Sequence, residues 1–278
     1  MLTKEKVKSC LRKCMEKVQT KSLQAAAREQ RLEGLSEKLQ ALVPSITDQY
    51  TSFKVEGSYL NTNVRNMHAF QISLIDKVID EFQEPIIVDV GDSSGTHQQY
   101  ITGLYSEDKN IKCLSVSLDP KAVERIKKKG LEVVHARAED LHKHNIYANI
   151  FICFEVLEHL TDPCRFLYEL SSKTDAAYLI VTVPYLRNSR VGLHHIRAGH
   201  KNKVNAENTH ILELSAEDWK LLANHAGWTV VEDRIYLQYP RKSVWRLAKS
   251  IWKKYDFEGF YGLVLKKDDS WSSRYADW

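Results

Sequence analysis

Long apolar runs and paired cysteines are both missing from this sequence of 278 residues. Its longest apolar stretch, residues 178–183, is far shorter than the roughly 20 residues that a membrane-spanning helix needs. The first residues, MLTKEKVK, lack the apolar segment of a signal peptide. The five cysteines are an odd number and are scattered, which argues against a disulfide framework. We therefore expect a cytoplasmic protein whose cysteines stay reduced.

The sequence also has little net charge, +4, and its positive charge is confined to the two ends. Residues 1–40 contain ten Lys/Arg and five Glu, and residues 241–278 contain nine Lys/Arg and five Asp/Glu. The middle of the chain is acidic as a result. Enzymes that act on nucleic acids carry basic residues along the path of the substrate. This distribution disfavours a nucleic-acid substrate.

Residues 1–44 are predicted to form one long helix. Apolar or small residues recur there at alternating spacings of four and three, which is a heptad pattern, at Val7, Leu11, Cys14, Val18, Ala25, Leu32, Leu35, Leu39 and Leu42. This seam fits two arrangements, a helix packed on its own domain and the arm of a coiled-coil homodimer. Residues 45–82 are predicted as a helical lead-in that caps the substrate side, with an amphipathic helix over 67–82.

Residues 83–267 alternate between short apolar runs and helical segments. The runs predicted as strands cover residues 86–90, 112–118, 131–135, 149–154, 178–183, 228–237 and 260–266, and helices are predicted at 96–105, 120–129, 163–172 and 215–226. Apolar strands separated by helices are typical of a parallel sheet covered on both faces. The last two strands have no long helix between them, so we expect one antiparallel strand. In such a sheet, ligands bind beyond the carboxyl ends of the strands.

Three of these strand ends carry candidate binding residues. The first strand runs into Asp89-Val-Gly-Asp-Ser-Ser-Gly95, whose glycines allow a tight turn into a helix N-terminus. After the second strand, Asp119 has two interpretations. It can bind a ribose, or it can cap the helix that Pro120 begins, which we favour. The fourth strand is followed by Glu155-Val-Leu-Glu-His-Leu-Thr-Asp-Pro163.

In their order along the chain, these segments resemble the class I S-adenosylmethionine-dependent methyltransferases. The segment after the fourth strand is similar to that of the ubiquinone-biosynthesis and small-molecule O-methyltransferases. The resemblance implies a Rossmann-like α/β fold, with a seven-stranded, mostly parallel sheet and one antiparallel strand behind the N-terminal helical extension. It implies S-adenosylmethionine as the cofactor. The positions that match cofactor-binding residues of the family are Asp89, Gly91, Ser93, Gly95, Ser117, Asp119, Ala138, Glu139, Phe154 and Glu155.

Three of the matched positions depart from the family pattern. Ser93 replaces the middle glycine of the turn, Ser117 falls where the family has its ribose-binding acid, and Arg137 replaces an acid. Asp119 lies in phase with Ser117 along the strand, so it is the candidate replacement for the missing acid. These departures bear on the affinity for the cofactor and leave the predicted fold unchanged.

Glu155, Glu158 and His159 are spaced i, i+3 and i+4, which places them on one face of a helical turn. Two carboxylates and an imidazole suit Mg²⁺ or Mn²⁺. The small-RNA 2′-O-methyltransferases use a similar motif with a later histidine, which implies His210 as the fourth ligand. Such a cation lowers the pKa of an acceptor hydroxyl. Without a metal, His159 is the candidate general base and Glu158 the second catalytic candidate. A purely structural role in the loop is the third interpretation.

Two further segments concern partners. Residues 241–255 are predicted to form a helix with one apolar stripe and with Lys and Arg on its other sides. The stripe consists of Val244, Trp245, Ala248, Ile251, Trp252 and Tyr255. We favour packing of this stripe on the sheet over an interfacial helix that makes peripheral contact with an anionic membrane. The long segment 186–208, with His194, His195 and His200, is a candidate substrate loop. Residues 268–278 are assigned to a C-terminal tail.

Taken together, these features predict methyl transfer to a hydroxyl of a small molecule or glycan, with a lipid-linked acceptor as one form. Two other functions stay open. Gly91-Asp-Ser-Ser-Gly95 also fits the nucleophile elbow of α/β-hydrolases, with Ser93 as the nucleophile and His210 as the base. That fold usually places several strands before the elbow, and here the elbow strand is the first. The third function is a catalytically inactive scaffold that dimerises through its N-terminal helix.

Overall fold

Nine strands are present in a computed structural model that describes residues 4–191, 209–254 and 258–275. They are β1 (Ile86–Val90), β2 (Lys112–Ser117), β3 (Val133–His135), β4 (Ile150–Phe154), β5 (Tyr178–Pro184), β6 (Arg190–Val191), β7 (Leu212–Glu213), β8 (Trp228–Leu237) and β9 (Gly259–Lys267). Seven of them form one sheet in the order β3-β2-β1-β4-β5-β9-β8, and β6 pairs with β7 separately. Within the seven-stranded sheet, β9 is antiparallel to both neighbours and the other pairs are parallel, whereas β6 and β7 are antiparallel. The predicted sheet with one antiparallel strand is confirmed.

The helices of the described residues cover both faces of this sheet. They are α1 (Lys4–Glu29), α2 (Glu33–Leu42), α3 (Gly57–Ile75), α4 (Thr96–Tyr105), α5 (Pro120–Lys128), α6 (Pro163–Lys173), α7 (Ala216–His225) and α8 (Lys249–Lys254). Successive residues of β4 point to opposite faces. Ile150 and Ile152 pack with the core that includes α3, whereas Phe151 and Cys153 pack with the core that includes α6 and α7. No described helix is long and apolar enough to cross a membrane.

The structure corrects the prediction of one long N-terminal helix. α1 ends at Glu29 and α2 begins at Glu33, and between them Arg31 has a φ of 60°. The side chain of Gln30 pairs with the end of β8 at this break. Its Nε2 donates to the carbonyl of Leu237 (2.8 Å), and its Oε1 accepts from the Leu237 N–H (2.9 Å). The break between α1 and α2 thus coincides with a contact to a strand far along the chain. The periodicity of the sequence does not reveal such a contact.

The apolar seam of the N-terminal segment is covered largely by the protein's own domain. Leu32 and Leu39 of the seam are buried, and α1 and α2 both contact α3. Arg65 of α3 is itself buried and donates to the carbonyls of Val43 (2.7 Å) and Pro44 (2.9 Å), which satisfies acceptors where α2 ends. The second half of the seam therefore packs on the protein's own domain. A homodimer through the first half, where Leu11 is exposed, stays a prediction.

Two other segments differ in detail from their predicted form. The lead-in helix begins at Gly57 instead of residue 67, and Val64–Ile75 are all buried. Residues 241–254 include a 3₁₀ turn (Val244–Ala248) followed by α8, with Ala248 and Trp252 buried as the favoured packing interpretation requires, and Tyr255 lies outside the described residues. Val244, which was placed on the same stripe, is instead exposed.

Candidate functional site

The turn after β1 is a tight backbone cradle. Gly91 has a φ of 90°, and a Cβ added there would lie 2.4 Å from Cγ2 of Val156. The buried carboxylate of Asp92 accepts hydrogen bonds from the N–H groups of Ser94 and Gly95, both at 2.9 Å, and so closes the turn into α4. Only glycine fits at position 91 without displacing its neighbour. The turn at Gly91 is therefore packed against the segment that follows β4, and the resemblance implies S-adenosylmethionine as its ligand.

Ser93, the departure from the middle glycine, is accommodated by the loop before α3. Its Oγ donates to the carbonyl of Gln49 (2.7 Å), and Ser94 Oγ donates to Oε1 of the same glutamine (3.0 Å). No hydrogen bond joins Ser93 to a histidine among residues 4–191, 209–254 and 258–275. The hydrolase alternative therefore has no support in this structure.

A buried chain of hydrogen bonds runs from this turn to the end of β4. Nδ1 of His97 lies 2.9 Å from Oδ2 of Asp89, and Nε2 of His97 lies 3.3 Å from Oε1 of Gln71. Nε2 of Gln71 donates to Oγ1 of Thr182 (3.1 Å), whose carbonyl accepts from the N–H of Glu155 (2.8 Å). Helix α3 thus connects the glycine turn after β1 with the acid that follows β4.

Sequence reasoning missed three members of this chain. Gln71 and Thr182 interrupt runs of apolar residues, in α3 and β5, and His97 follows the glycine turn by two residues. A polar residue within an apolar run is a usable signal, because a buried polar group needs a hydrogen-bond partner. The signal does not say which partner it has, and here the partners lie on separate elements.

The chain of hydrogen bonds also determines which ring nitrogen of His97 carries a hydrogen. Because Nε2 of Gln71 donates to Thr182, its Oε1 faces His97 and can only accept, so Nε2 of His97 carries a hydrogen. Burial and then the neighbouring Asp92 raise the pKa of Asp89 to about 6. Burial works against protonation of His97, but the Asp89 carboxylate raises its pKa nonetheless. The pair Asp89–His97 therefore holds a proton up to near-neutral pH.

The positions matched to the ribose and adenine contacts lie after β2 and β3. Asp119 caps α5, because its carboxylate accepts from the N–H of Lys121 (2.9 Å). This is the capping role that we favoured, and a ribose contact by the same side chain stays a prediction. Ser117 is buried at the end of β2. Ala138 begins a 3₁₀ turn (Ala138–His144), and Glu139 pairs with Arg137 at 3.3 Å.

Two acids follow β4, Glu155, which is half-buried, and Glu158, which is buried. Glu155 has a φ of 56° and precedes a 3₁₀ turn (Leu157–His159), in a left-handed conformation that costs a non-glycine residue about 1–2 kcal/mol. Glu158 is fully buried, and neither of its oxygens has a hydrogen-bond partner within the described part of the chain. Burial raises the pKa of Glu155 to about 8, and burial followed by the charge of Glu155 raises that of Glu158. A buried carboxylate without a hydrogen-bond partner, such as that of Glu158, calls for a positive partner when it is ionised.

Two histidines complete this group. Nδ1 of His159 donates to the carbonyl of Thr209 (2.8 Å), and the N–H of Ile211 donates to the carbonyl of Glu158 (2.6 Å). These bonds hold the segment around His210 against the turn, and the two imidazole rings meet edge to face with centroids 4.8 Å apart. One ligand atom each of Glu158, His159 and His210 lies within 4.8 Å of the others.

The structure thus assembles three of the four predicted metal ligands. Glu155 is not part of that group of three and lies next to Glu158. Nδ1 of His210 is 2.7 Å from Oε1 of Glu213, which also pairs with Arg190 across the β6–β7 ladder. Although burial opposes it, these two partners lower the pKa of Glu213 to about 2. His194, His195 and His200 lie outside the described residues.

Comparisons with known proteins agree with this architecture. A family model described as a methyltransferase domain matches residues 64–233. No curated protein matches the sequence. Similar solved structures include the [4+2]-cyclase SpnF, with 13% identity, a TM-score of 0.53 and coverage of 88% of this chain and 97% of that one. An O-methyltransferase from a trans-AT PKS multienzyme of Brevibacillus brevis, in complex with S-adenosyl-L-homocysteine, has 15% identity, a TM-score of 0.50 and coverage of 74% of both chains.

A protein from Galdieria sulphuraria described as a sarcosine dimethylglycine methyltransferase has 10% identity and a TM-score of 0.52, over 74% of this chain and 85% of that one. At such identities, structural likeness shows the fold alone, since one fold hosts several reactions. The family model carries more weight, because it covers over half of the chain, including the glycine turn and the Glu155–His159 segment. The chain accordingly belongs to the class I S-adenosylmethionine-dependent methyltransferases.

Proposed function

We propose that the protein methylates a hydroxyl of a small molecule or glycan, and that a divalent cation held by Glu158, His159 and His210 assists the reaction. The observation that carries this proposal is the convergence of one buried carboxylate and two imidazoles beyond β4. A hydroxyl must lose its proton as it accepts a methyl group, and an amine acceptor has less need of such help. A site that promotes this proton loss therefore favours oxygen as the acceptor atom.

The chain's own residues shape the cofactor side of the site. When bound, S-adenosylmethionine supplies the methyl group from its sulfonium centre. Gly91 lets the backbone turn at a φ of 90° where Val156 packs against it, and Asp89 is a buried acid at the end of β1. Phe154 contacts the His97 ring edge to face, with centroids 5.1 Å apart, and so braces the cradle from β4. Alignment of the two reacting groups by such fixed residues accounts for much of the rate in a transfer of this kind.

The donor set supports a hard divalent cation. Carboxylate and imidazole ligands without sulfur suit Mg²⁺ or Mn²⁺, and such a cation would lower the pKa of an acceptor hydroxyl. The two histidines are oriented by hydrogen bonds at Nδ1, to the Thr209 carbonyl and to Glu213, as metal-binding histidines commonly are. Glu155 is the candidate further ligand, because its Oε1 is buried without a hydrogen-bond partner in the described part of the chain.

A metal-free route uses the same residues differently. Since Nδ1 of His159 donates to the Thr209 carbonyl, the lone pair of the neutral ring resides on Nε2. That atom lies 3.9 Å from Oε1 of Glu158, which would stabilise the protonated ring. His159 is then the general base for the acceptor hydroxyl.

Thermal unfolding with and without Mn²⁺ separates the two routes. We expect Mn²⁺ at a hundredfold excess over its dissociation constant to stabilise the wild-type protein by about 2.7 kcal/mol. Glu158→Gln and His210→Asn should remove this effect, whereas the control His225→Asn, on α7, should keep it. Stabilisation that persists in both site variants contradicts the metal site, and turnover that resists a chelator then assigns the reaction to His159 as the base.

Calorimetric titration with S-adenosylhomocysteine and a panel of acceptors tests the wider proposal. Micromolar binding, followed by methyl transfer to hydroxyl compounds in preference to matched amines, is the expected result. A protein that binds no S-adenosylhomocysteine, with or without Mn²⁺, contradicts the proposed function as a whole and favours the scaffold alternative.

A further inference from the structure

One surface of the protein combines exposed aliphatic side chains with a dense group of cations. It consists of residues 241–247, after β8, and of the lysine-bearing side of α1, and we name it the basic–apolar face. We propose that this face docks the protein on the surface of an anionic lipid bilayer. The proposal goes beyond methyl transfer, because it concerns residues outside the site at the ends of β1 and β4.

The apolar part of the face is the outer side of the 3₁₀ turn. Val244 is 75% exposed and Leu247 is 79% exposed, and their spacing of three places them on the same side of the turn. Beneath them Ala248 and Trp252 are buried and fasten the turn to the domain. Two neighbouring aliphatic side chains are therefore held outward by a rigid base, which differs from the single exposed leucine that any soluble protein tolerates.

Three cations lie beside this pair in the chain. Arg241, Lys242 and Arg246 are exposed, and none forms an ion pair within the described residues. The nearby carboxylate of Glu29 accepts from the backbone N–H groups of Arg241 (2.8 Å) and Lys242 (2.9 Å). It therefore anchors the backbone of this segment and leaves both cationic side chains without a carboxylate contact.

Helix α1 extends the cationic surface. Nζ of Lys21 lies 5.2 Å from the ring centroid of Trp245, so α1 and the turn form one surface. Lys13 and Lys17 precede Lys21 at intervals of four and are exposed on the same side of the helix. All three line one open cavity of about 370 Å³. The positive charge thus continues from the turn along the helix.

Anionic lipid satisfies both parts of this face, whereas other anions satisfy only one. Lipid headgroups pair with Lys and Arg, and the adjoining acyl boundary takes up aliphatic side chains. Nucleic acid would use the cations for its phosphates and leave Val244 and Leu247 in water. The contact that we propose is a peripheral one, made by side chains at the protein surface.

Co-sedimentation of the full-length protein with vesicles tests the proposal. We expect binding to phosphatidylcholine vesicles that contain phosphatidylglycerol and none to phosphatidylcholine alone. The double variant Val244→Ser/Leu247→Ser should bind roughly tenfold more weakly, because it loses the aliphatic insertion. Lys242→Ala/Arg246→Ala should bind about 25-fold more weakly, at roughly fivefold per charge removed.

The matched control is Leu221→Ser on α7, which replaces a leucine that is 45% exposed elsewhere. It should bind vesicles like the wild type, and all variants should bind S-adenosylhomocysteine equally. Failure to bind anionic vesicles overturns the proposal. The proposal is also overturned if Val244→Ser/Leu247→Ser binds anionic vesicles as tightly as the wild type. Stronger binding to single-stranded RNA that depends on the cations alone overturns it as well.

Discussion

Gly91→Ala is expected to destabilise the protein by about 3 kcal/mol, through two separate effects at the turn after β1. The first is backbone strain, because a φ of 90° costs an L-residue with a side chain about 1–2 kcal/mol. The second is overpacking, because the new Cβ would lie 2.4 Å from Cγ2 of Val156, and such crowding costs about 1–3 kcal/mol. The same displacement should weaken the binding of S-adenosylhomocysteine, because we propose that this turn forms the cofactor cradle.

Two other glycines allow these effects to be measured apart. Gly130 has a φ of 73° but no atom within 4 Å of an added Cβ, so Gly130→Ala reports the strain alone. Gly34, in α2, has neither a positive φ nor a neighbour within 4 Å, and Gly34→Ala should stabilise the helix by up to about 1 kcal/mol. In the Gly91→Ala background, Val156→Ala should recover the overpacking part and leave the strain.

Chemical denaturation of the four single variants and of the double variant gives the free energies, and calorimetry gives the affinity for S-adenosylhomocysteine. A loss in Gly91→Ala no larger than that in Gly130→Ala would refute the close contact with Val156. A double variant without recovery would refute it as well. An unchanged affinity of Gly91→Ala for S-adenosylhomocysteine would refute the proposal that the cofactor binds at this turn.

His159→Asn should lower turnover by about 100-fold or more while S-adenosylhomocysteine binds as before, and equal loss of binding in calorimetry would contradict the catalytic role. Gln71→Leu leaves polar atoms of His97 and Thr182 without their partner, and should lower the unfolding free energy by about 2–4 kcal/mol in denaturant titrations. An unchanged midpoint would contradict the buried chain of hydrogen bonds. The folded-state pKa of Asp89 is raised from 3.8 to about 6, so its stabilising contribution is present at low pH and is lost as the pH rises through that range. The loss amounts to about 3 kcal/mol. Asp89→Asn should remove this part of the pH dependence, and an identical profile in both proteins would contradict the assignment.

Local patterns accounted for most of the sheet and its helices. The strand at 228–237 and the helix at 96–105 have the predicted bounds, because runs of apolar residues and their period report burial directly. Helix starts were equally readable. Asp119 and Asp162 each precede a proline, and each side chain accepts a backbone N–H of the helix it begins, from Lys121 and Arg165.

The errors occurred where contacts between distant segments decide the local conformation. A heptad seam suggested one long helix over residues 1–44, yet α1 ends at Glu29, and the next residue, Gln30, pairs with Leu237 at the end of β8. A contact with a strand far along the chain leaves no mark on the period of the seam. For the same reason, Val244 seemed to belong to a buried stripe and is exposed.

The sequence by itself determined the alternating α/β architecture, the glycine turn at Gly91 and the proximity of Glu158 to His159, because all of these depend on residues close together in the chain. Only the tertiary structure decided that His210 joins them, through the bond between His159 and the Thr209 carbonyl, and that Gln71 links His97 to Thr182. The physical reason is that a buried polar group needs a partner, while its own position in the sequence does not say which element will supply one.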